Sequence, residues 1–168
     1  PVFITYVDKI VDMRRYLVQE RGEFPKELQT AFRSLESSMN PWGFSQDERG
    51  QWADGLDVPL ISEKPDAEIL FWVGCAPSYD ERAKATTRAT AKLLKKAGVD
   101  FAILGSEECC TGDPARRAGN EFLFQMLAEQ NCETINGYKV KTIVTTCPHC
   151  FNTLLNEYPD FGGKYDVV

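Results

Sequence analysis

The chain has 168 residues, 43% of them hydrophobic, and a formal net charge of −6 at pH 7. That length buries one sizeable core with a small appendage, and the acidic balance argues against a nucleic-acid binder, which relies on a basic surface. No apolar run nears the roughly 18 residues that span a bilayer, and no charged start followed by an apolar stretch marks a signal peptide, so these residues read as a soluble segment. The first residue is Pro1, with no initiator Met, as in a processed product or a piece of a longer polypeptide.

Phe3, Val7, Ile10, Val11 and Leu17 recur at helical spacing and predict an amphipathic helix over Val2–Glu20, with Lys9, Arg14 and Arg15 largely elsewhere on its surface. Gly22 stops it, and Pro25 opens a second helix to about Ser38 that turns Leu28, Phe32 and Leu35 inward. Asn40-Pro41-Trp42-Gly43-Phe44 breaks the pattern and predicts a turn with an anchored indole. A short third helix is expected over Gln46–Gly55. Val58-Pro59-Leu60-Ile61 and Lys64-Pro65-Asp66 then read as extended linker. Residues 1–64 thus form a helical lead segment and residues 65–168 a second unit, with the boundary near Pro65.

That second unit alternates. The apolar runs Ile69–Val73, Phe101–Leu104, and Val140 with Thr142–Val144 predict buried strands. Between the first two lies a helix with Tyr79, Ala83, Thr86, Thr90, Leu93, Leu94 and Ala97 inward, a solvated face of Arg82, Lys84, Arg88, Lys92, Lys95 and Lys96, and Gly98 as its stop. Asp113-Pro114 opens the next helix, with Phe122, Leu123, Met126 and Leu127 as the packing stripe, and Asn136-Gly137 turns towards the third strand. A final helix runs from Pro148 through Asn156 with Phe151, Leu154 and Leu155 inward. The fold class is α/β: a Rossmann-like three-layer unit with a short parallel sheet, preceded by an α-helical segment. There is no internal repeat and no low-complexity tract.

Five of the six cysteines follow the predicted strands: Cys75, then Cys109-Cys110, then Cys147-Pro148-His149-Cys150. In a parallel sheet the carboxyl ends of the strands share one edge, where ligands bind. Cys147 and Cys150 are three apart at a helix opening, on one face and near backbone N–H groups that favour thiolate. Cys109 and Cys110 need a turn to face one centre, which Gly112 permits. Adjacent Cys with CxxC in a domain large enough to fold unaided reads as metal or redox chemistry in a reducing compartment rather than a disulfide scaffold. Three readings compete. An iron–sulfur centre accepts several thiolates. A zinc-stabilised interaction module uses only four ligands and leaves one cysteine over. A thiol–disulfide oxidoreductase would use Cys147 and Cys150 alone. Cys132 lies outside the pattern and reads as a small hydrophobe. His149 either tunes the thiolates or is an exposed spacer, Glu107, Glu108 and Lys141 read as loop charges, and Trp42 and Trp72 as packing residues.

The spacing of Cys75, Cys109-Cys110 and Cys147-x-x-Cys150, with 33 and 36 residues between the groups, resembles the cysteine-rich CCG domain. That domain occurs in heterodisulfide reductase catalytic subunits, glycolate oxidase iron–sulfur subunits, and related membrane-associated iron–sulfur reductases, including those of the electron-transfer-flavoprotein:menaquinone oxidoreductase type. The resemblance covers roughly Asp66 to Tyr158, and Cys109–Arg117 looks like the form of the motif in the long reductases. The family has Gly directly after the paired cysteines, whereas Thr111 intervenes here, which weakens a claim of heterodisulfide specificity. The resemblance implies an iron–sulfur electron-transfer oxidoreductase, one domain of a larger redox enzyme. It implies a [4Fe–4S] cluster held by Cys75, Cys109, Cys110, Cys147 and Cys150, of the noncubane type in heterodisulfide reductases. It further implies that 65–168 is the first of two such domains, after a ferredoxin module. The partners it implies are that ferredoxin-type module and an electron-transfer flavoprotein, a quinone-reducing membrane part or a disulfide substrate, with the chain in the cytoplasm at the inner face of the membrane.

Overall fold

The computed structural model describes residues 6–168; Val2 and Phe3 of the predicted first helix lie outside them. The lead segment holds helices α1 (Val7–Arg15) and α2 (Lys26–Ser38). The rest runs β1 (Ile69–Trp72), α3 (Cys75–Tyr79), α4 (Glu81–Lys96), β2 (Phe101–Ala102), α5 (Asp113–Ala118), α6 (Glu121–Gly137), β3 (Thr142–Thr145), α7 (Pro148–Asn152) and β4 (Asp166–Val167). The four strands are parallel in the order β2-β1-β3-β4. Ile69–Trp72 pairs residue for residue with Thr142–Thr145. From β1 the chain steps to one side to form β2, then crosses to the other side to form β3. The order therefore reverses between β1 and β3, the place where doubly wound sheets open a crevice.

Alternation along β1 builds three layers. Leu70 and Trp72 join Ile143 and the α6 residues Leu127 and Ile135 on one face. Phe71 and Val73 join Phe101, Ile103, Ala91 of α4 and Trp52 on the other. Leu70, Phe71, Trp72 and Val73 are all buried, and each contributes about 1.5–3 kcal/mol by leaving water. Phe32 and Leu35 of α2 enter the first layer, so the lead segment shares the core of the α/β unit.

Several expectations shift. β4 is an additional edge strand, only two residues long and without a run that marks it. The expected linker pairs along β2: Ile103 N–H donates to Pro59 O at 3.0 Å and Ile61 N–H to Ile103 O at 2.8 Å, with Ile61 buried. The short third helix is two 3₁₀ turns, Gln46–Glu48 and Gln51–Ala53. On α4 the buried positions are Thr87 and Ala91, while Leu93 is 67% exposed. Its cationic face is not simply solvated, because Arg88 donates to the carbonyls of Trp52 and Asp54, and Lys95 to those of Leu56 and Asp57. The helix expected from Asp113 is interrupted at Gly119-Asn120, where the backbone of α1 packs and the Asn120 side chain caps α6. Its stripe is Leu123, Phe124, Leu127 and Ala128, with Phe122 and Met126 exposed. Asn136-Gly137 stays helical, and the turn falls at Lys139. Of the three residues expected inward on the final helix, Leu154 is buried, while Phe151 and Leu155 are exposed, as are Val7 and Leu17 of the first. Trp42 is exposed too. The side chain of Asn40, fully buried, anchors that turn by accepting from Trp42 and Phe44 N–H and donating to Ser38 and Phe44 carbonyls. Among the described residues no helix is long and apolar enough to cross a membrane.

Candidate functional site

Cys75 is the first residue of α3, just past β1, and Cys147 caps α7, just past β3, with Cys150 one turn on. These three thiols stand at the crevice where the strand order reverses. Cys109 and Cys110 arrive from the loop after β2, and all six cysteines are free thiols.

The sulfurs meet in two pairs. The neighbouring Cys110 thiol pulls Cys75 down to about 7, with Arg49 assisting, while Cys110 itself is pushed well up by Cys75 and by burial. The neighbouring Cys150 thiol pulls Cys147 down to about 6, with help from the backbone N–H groups of Cys150 and His149 at the start of α7. Cys150 rises in turn. Cys109 is raised to about 11 by burial. Its Sγ lies 3.9 Å from Gln46 Nε2. The crevice thus has two walls, one carrying Cys75, Cys109 and Cys110 and the other Cys147 and Cys150, and Gly74 joins them. Its φ of +86° suits glycine alone, and a Cβ there would stand 3.2 Å from Cys150 Sγ. Gly112, also at φ +86°, turns the chain after the paired cysteines, and Phe124 fills the space its side chain would need.

A buried ion pair backs the first wall. Arg49 and Glu108 are each 2% exposed and meet at 2.7 Å. Both terminal guanidinium nitrogens of Arg49 reach Cys75 Sγ at 3.6 Å. The Glu108 carboxylate accepts from Val73 N–H at 2.9 Å and Gly74 N–H at 2.7 Å, closing the loop after β1 over the loop after β2. Asn131 of α6 accepts from Cys109 N–H and donates to Cys110 O and to the Tyr158 hydroxyl; that hydroxyl donates to Thr111 O. Met39 O accepts from Cys110 N–H at 2.8 Å, so the end of α2 also holds the paired cysteines.

Glu108 is therefore a buried structural charge and not the loop charge its position suggests. Arg49, Asn131 and Gln46 carry no sequence signal, since each contacts the cysteines across 21 to 63 residues. The one available hint is a carboxylate directly before paired cysteines in an apolar setting. Glu107 is exposed and binds the Tyr138 hydroxyl. His149 is 74% exposed and lies 3.2 Å from Asp113. Cys132 packs away from the pairs, against Gly163 and Tyr165. Trp72 is buried in the core, as a packing residue should be.

Among the described residues no three Cys, His, Asp or Glu side chains converge on a single ion position. The donor set still suits a thiolate-ligated group: free thiols from three stretches at one crevice, with a guanidinium aimed at one of them. Buried polar atoms are rarely left unpaired. Of the five side-chain atoms that lack a partner among the described residues, four belong to Gln46, Arg49, Trp72 and Thr153. Gln46 and Arg49 touch cysteine sulfurs, Trp72 precedes Gly74 by two residues, and Thr153 follows Cys150 by three.

The cysteine-rich CCG domain family matches residues 69–155. The EtfAB:quinone oxidoreductase of Syntrophomonas wolfei is 46% identical over 172 residues, covering 99% of this chain and 24% of that protein. The probable iron-sulfur-binding oxidoreductase FadF of Bacillus subtilis is 47% identical over 174 residues, covering 99% and 25%. One component of the dihydromethanophenazine:CoB–CoM heterodisulfide reductase of Methanosarcina barkeri is 30% identical over 149 residues, covering 86% and 35%. The chain thus spans about a quarter of the length of the first two relatives. No solved structure matches it significantly.

Proposed function

The chain belongs to the cysteine-rich CCG domain family, and from that premise we propose that it is an iron–sulfur electron-transfer domain of a larger oxidoreductase. The observation that supports this reading is that free thiols from three stretches lie at the crevice between β1 and β3, as two neighbouring pairs, Cys75 with Cys110 and Cys147 with Cys150. Cys75, Cys109, Cys110, Cys147 and Cys150 would hold the group, a [4Fe–4S] cluster, of the noncubane kind if all five ligate. Such a centre supplies one-electron transfer at a potential set by charge, hydrogen bonds to sulfur and burial.

The residues around it do the rest. The Arg49 guanidinium beside Cys75 and the backbone N–H groups at the start of α7 beside Cys147 favour thiolate at those two positions. Trp72, Phe124 and Leu154 share one buried apolar cluster with Cys109, Cys110 and Cys150. Asn131 and Glu108 fix the loops that carry the other sulfurs. Named relatives support the partners: electrons would pass between EtfAB and quinone, as in the Syntrophomonas protein's name, through a ferredoxin-type module of the same polypeptide. Residues 65–168 would be the first of two such domains, on the cytoplasmic side of a membrane-associated protein, in keeping with a 45% identical Chromohalobacter salexigens relative named a probable membrane-anchored ferredoxin.

Anaerobic purification followed by iron, zinc and acid-labile sulfide assay tests the reading. A brown protein with iron and sulfide is expected, and Cys110→Ser should lose most of both. Zinc alone would favour an interaction module. A colourless, metal-free protein with a reactive Cys147–Cys150 pair would favour thiol–disulfide exchange. Full loading of Cys110→Ser would contradict five-thiolate ligation.

A further inference from the structure

We infer that Arg49 is a positioning residue that sets the reduction potential of the centre, an inference that rests on the iron–sulfur reading above. Two separate facts single it out. Its side chain is buried 26 residues upstream of Cys75 in sequence, yet both terminal nitrogens converge on one sulfur at 3.6 Å. Its orientation is fixed from behind, because Glu108 holds one nitrogen at 2.7 Å while its own carboxylate is pinned by two backbone N–H groups. The guanidinium carbon also lies 5.9 Å from the Tyr79 ring centre, closing a third side.

The Arg49–Glu108 pair is neutral as a whole, but it is a dipole with its positive end against Cys75. Hydrogen bonds to a ligand sulfur withdraw electron density from it, and a nearby positive charge favours the state that carries the extra electron. Burial strengthens both effects. Arg49 therefore stabilises the reduced form and raises the potential. Among the described residues the cysteines at the start of α7 have no comparable cation: His149 lies against Asp113 and is largely exposed. The asymmetry gives the centre one side, at Cys75, where added negative charge is best accommodated. A structural pair alone would need only Arg49 to meet Glu108; it would not need the fork to face a sulfur.

The test is a redox titration followed by electron paramagnetic resonance, on the full chain purified anaerobically, as wild type, Arg49→Lys, Arg49→Met and the double variant Arg49→Met/Glu108→Gln. The double variant keeps the buried region neutral, so it preserves the fold if Arg49→Met leaves Glu108 stranded. With iron and sulfide content equal to wild type, the Met variants should titrate at more negative potential. The expected shift is at least a tenfold change in the one-electron equilibrium, about 59 mV. Arg49→Lys, which keeps the charge but loses the fork, should fall between. A potential unchanged in a fully loaded Met variant, single or double, would overturn the assignment and leave Arg49 as the charge partner of Glu108. Wild-type protein without iron and sulfide would overturn the underlying reading instead.

Discussion

The wall that carries Cys75, Cys109 and Cys110 draws its support from distant parts of the chain, whereas the wall that carries Cys147 and Cys150 is assembled mainly from neighbours in sequence. The first rests on Arg49, Glu108, Asn131, Tyr158 and the carbonyl of Met39, most of them buried. The second rests on the start of α7: Cys147 N–H donates to Thr145 Oγ1, Phe151 N–H donates back to Cys147 O, and His149 faces solvent. A wall tied by long-range polar contacts is rigid and dry, and each contact is costly to break. A wall built locally tolerates change and meets solvent.

The comparison can be pressed hardest at Glu108. Glu108→Ala leaves Arg49 as an unpaired buried charge and strips the partners from Val73 and Gly74 N–H. Unfolding in denaturant under reducing conditions should show a loss of about 3–5 kcal/mol; a loss below about 1 kcal/mol would mean that the first wall does not depend on this pair. Asn131→Ala removes the acceptor of Cys109 N–H and the donor to Cys110 O and Tyr158. About 2 kcal/mol should go, in the same assay. On the opposite wall, His149→Ala should change stability by less than about 0.5 kcal/mol, because the side chain is mostly in solvent. Iron content should also be kept. An effect of His149→Ala as large as that of Asn131→Ala would erase the distinction between the walls.

What the residues reveal on their own follows the same division. Each cysteine group sits just beyond an apolar run, so its place at the sheet edge can be read from local pattern, as can the parallel α/β order. The long-range supports cannot be read that way. Arg49 lies in a polar stretch of 3₁₀ turns with no periodicity, and only tertiary packing reveals that it faces Cys75. Glu108 has the composition of a loop charge, and its burial follows from two amides at the end of β1 that need an acceptor. The rotated face of α4 has a similar origin: residues 52–57 cover cations that would otherwise point to water. β4 is too short to leave any pattern.

The most direct measurement is anomalous diffraction at the iron absorption edge from crystals grown without oxygen. It should place iron between the two walls, bonded to sulfurs of Cys75 and the Cys109-Cys110 pair on one side and of Cys147 and Cys150 on the other. Iron bonded to the sulfurs of one wall only, or no iron between them, would contradict the account.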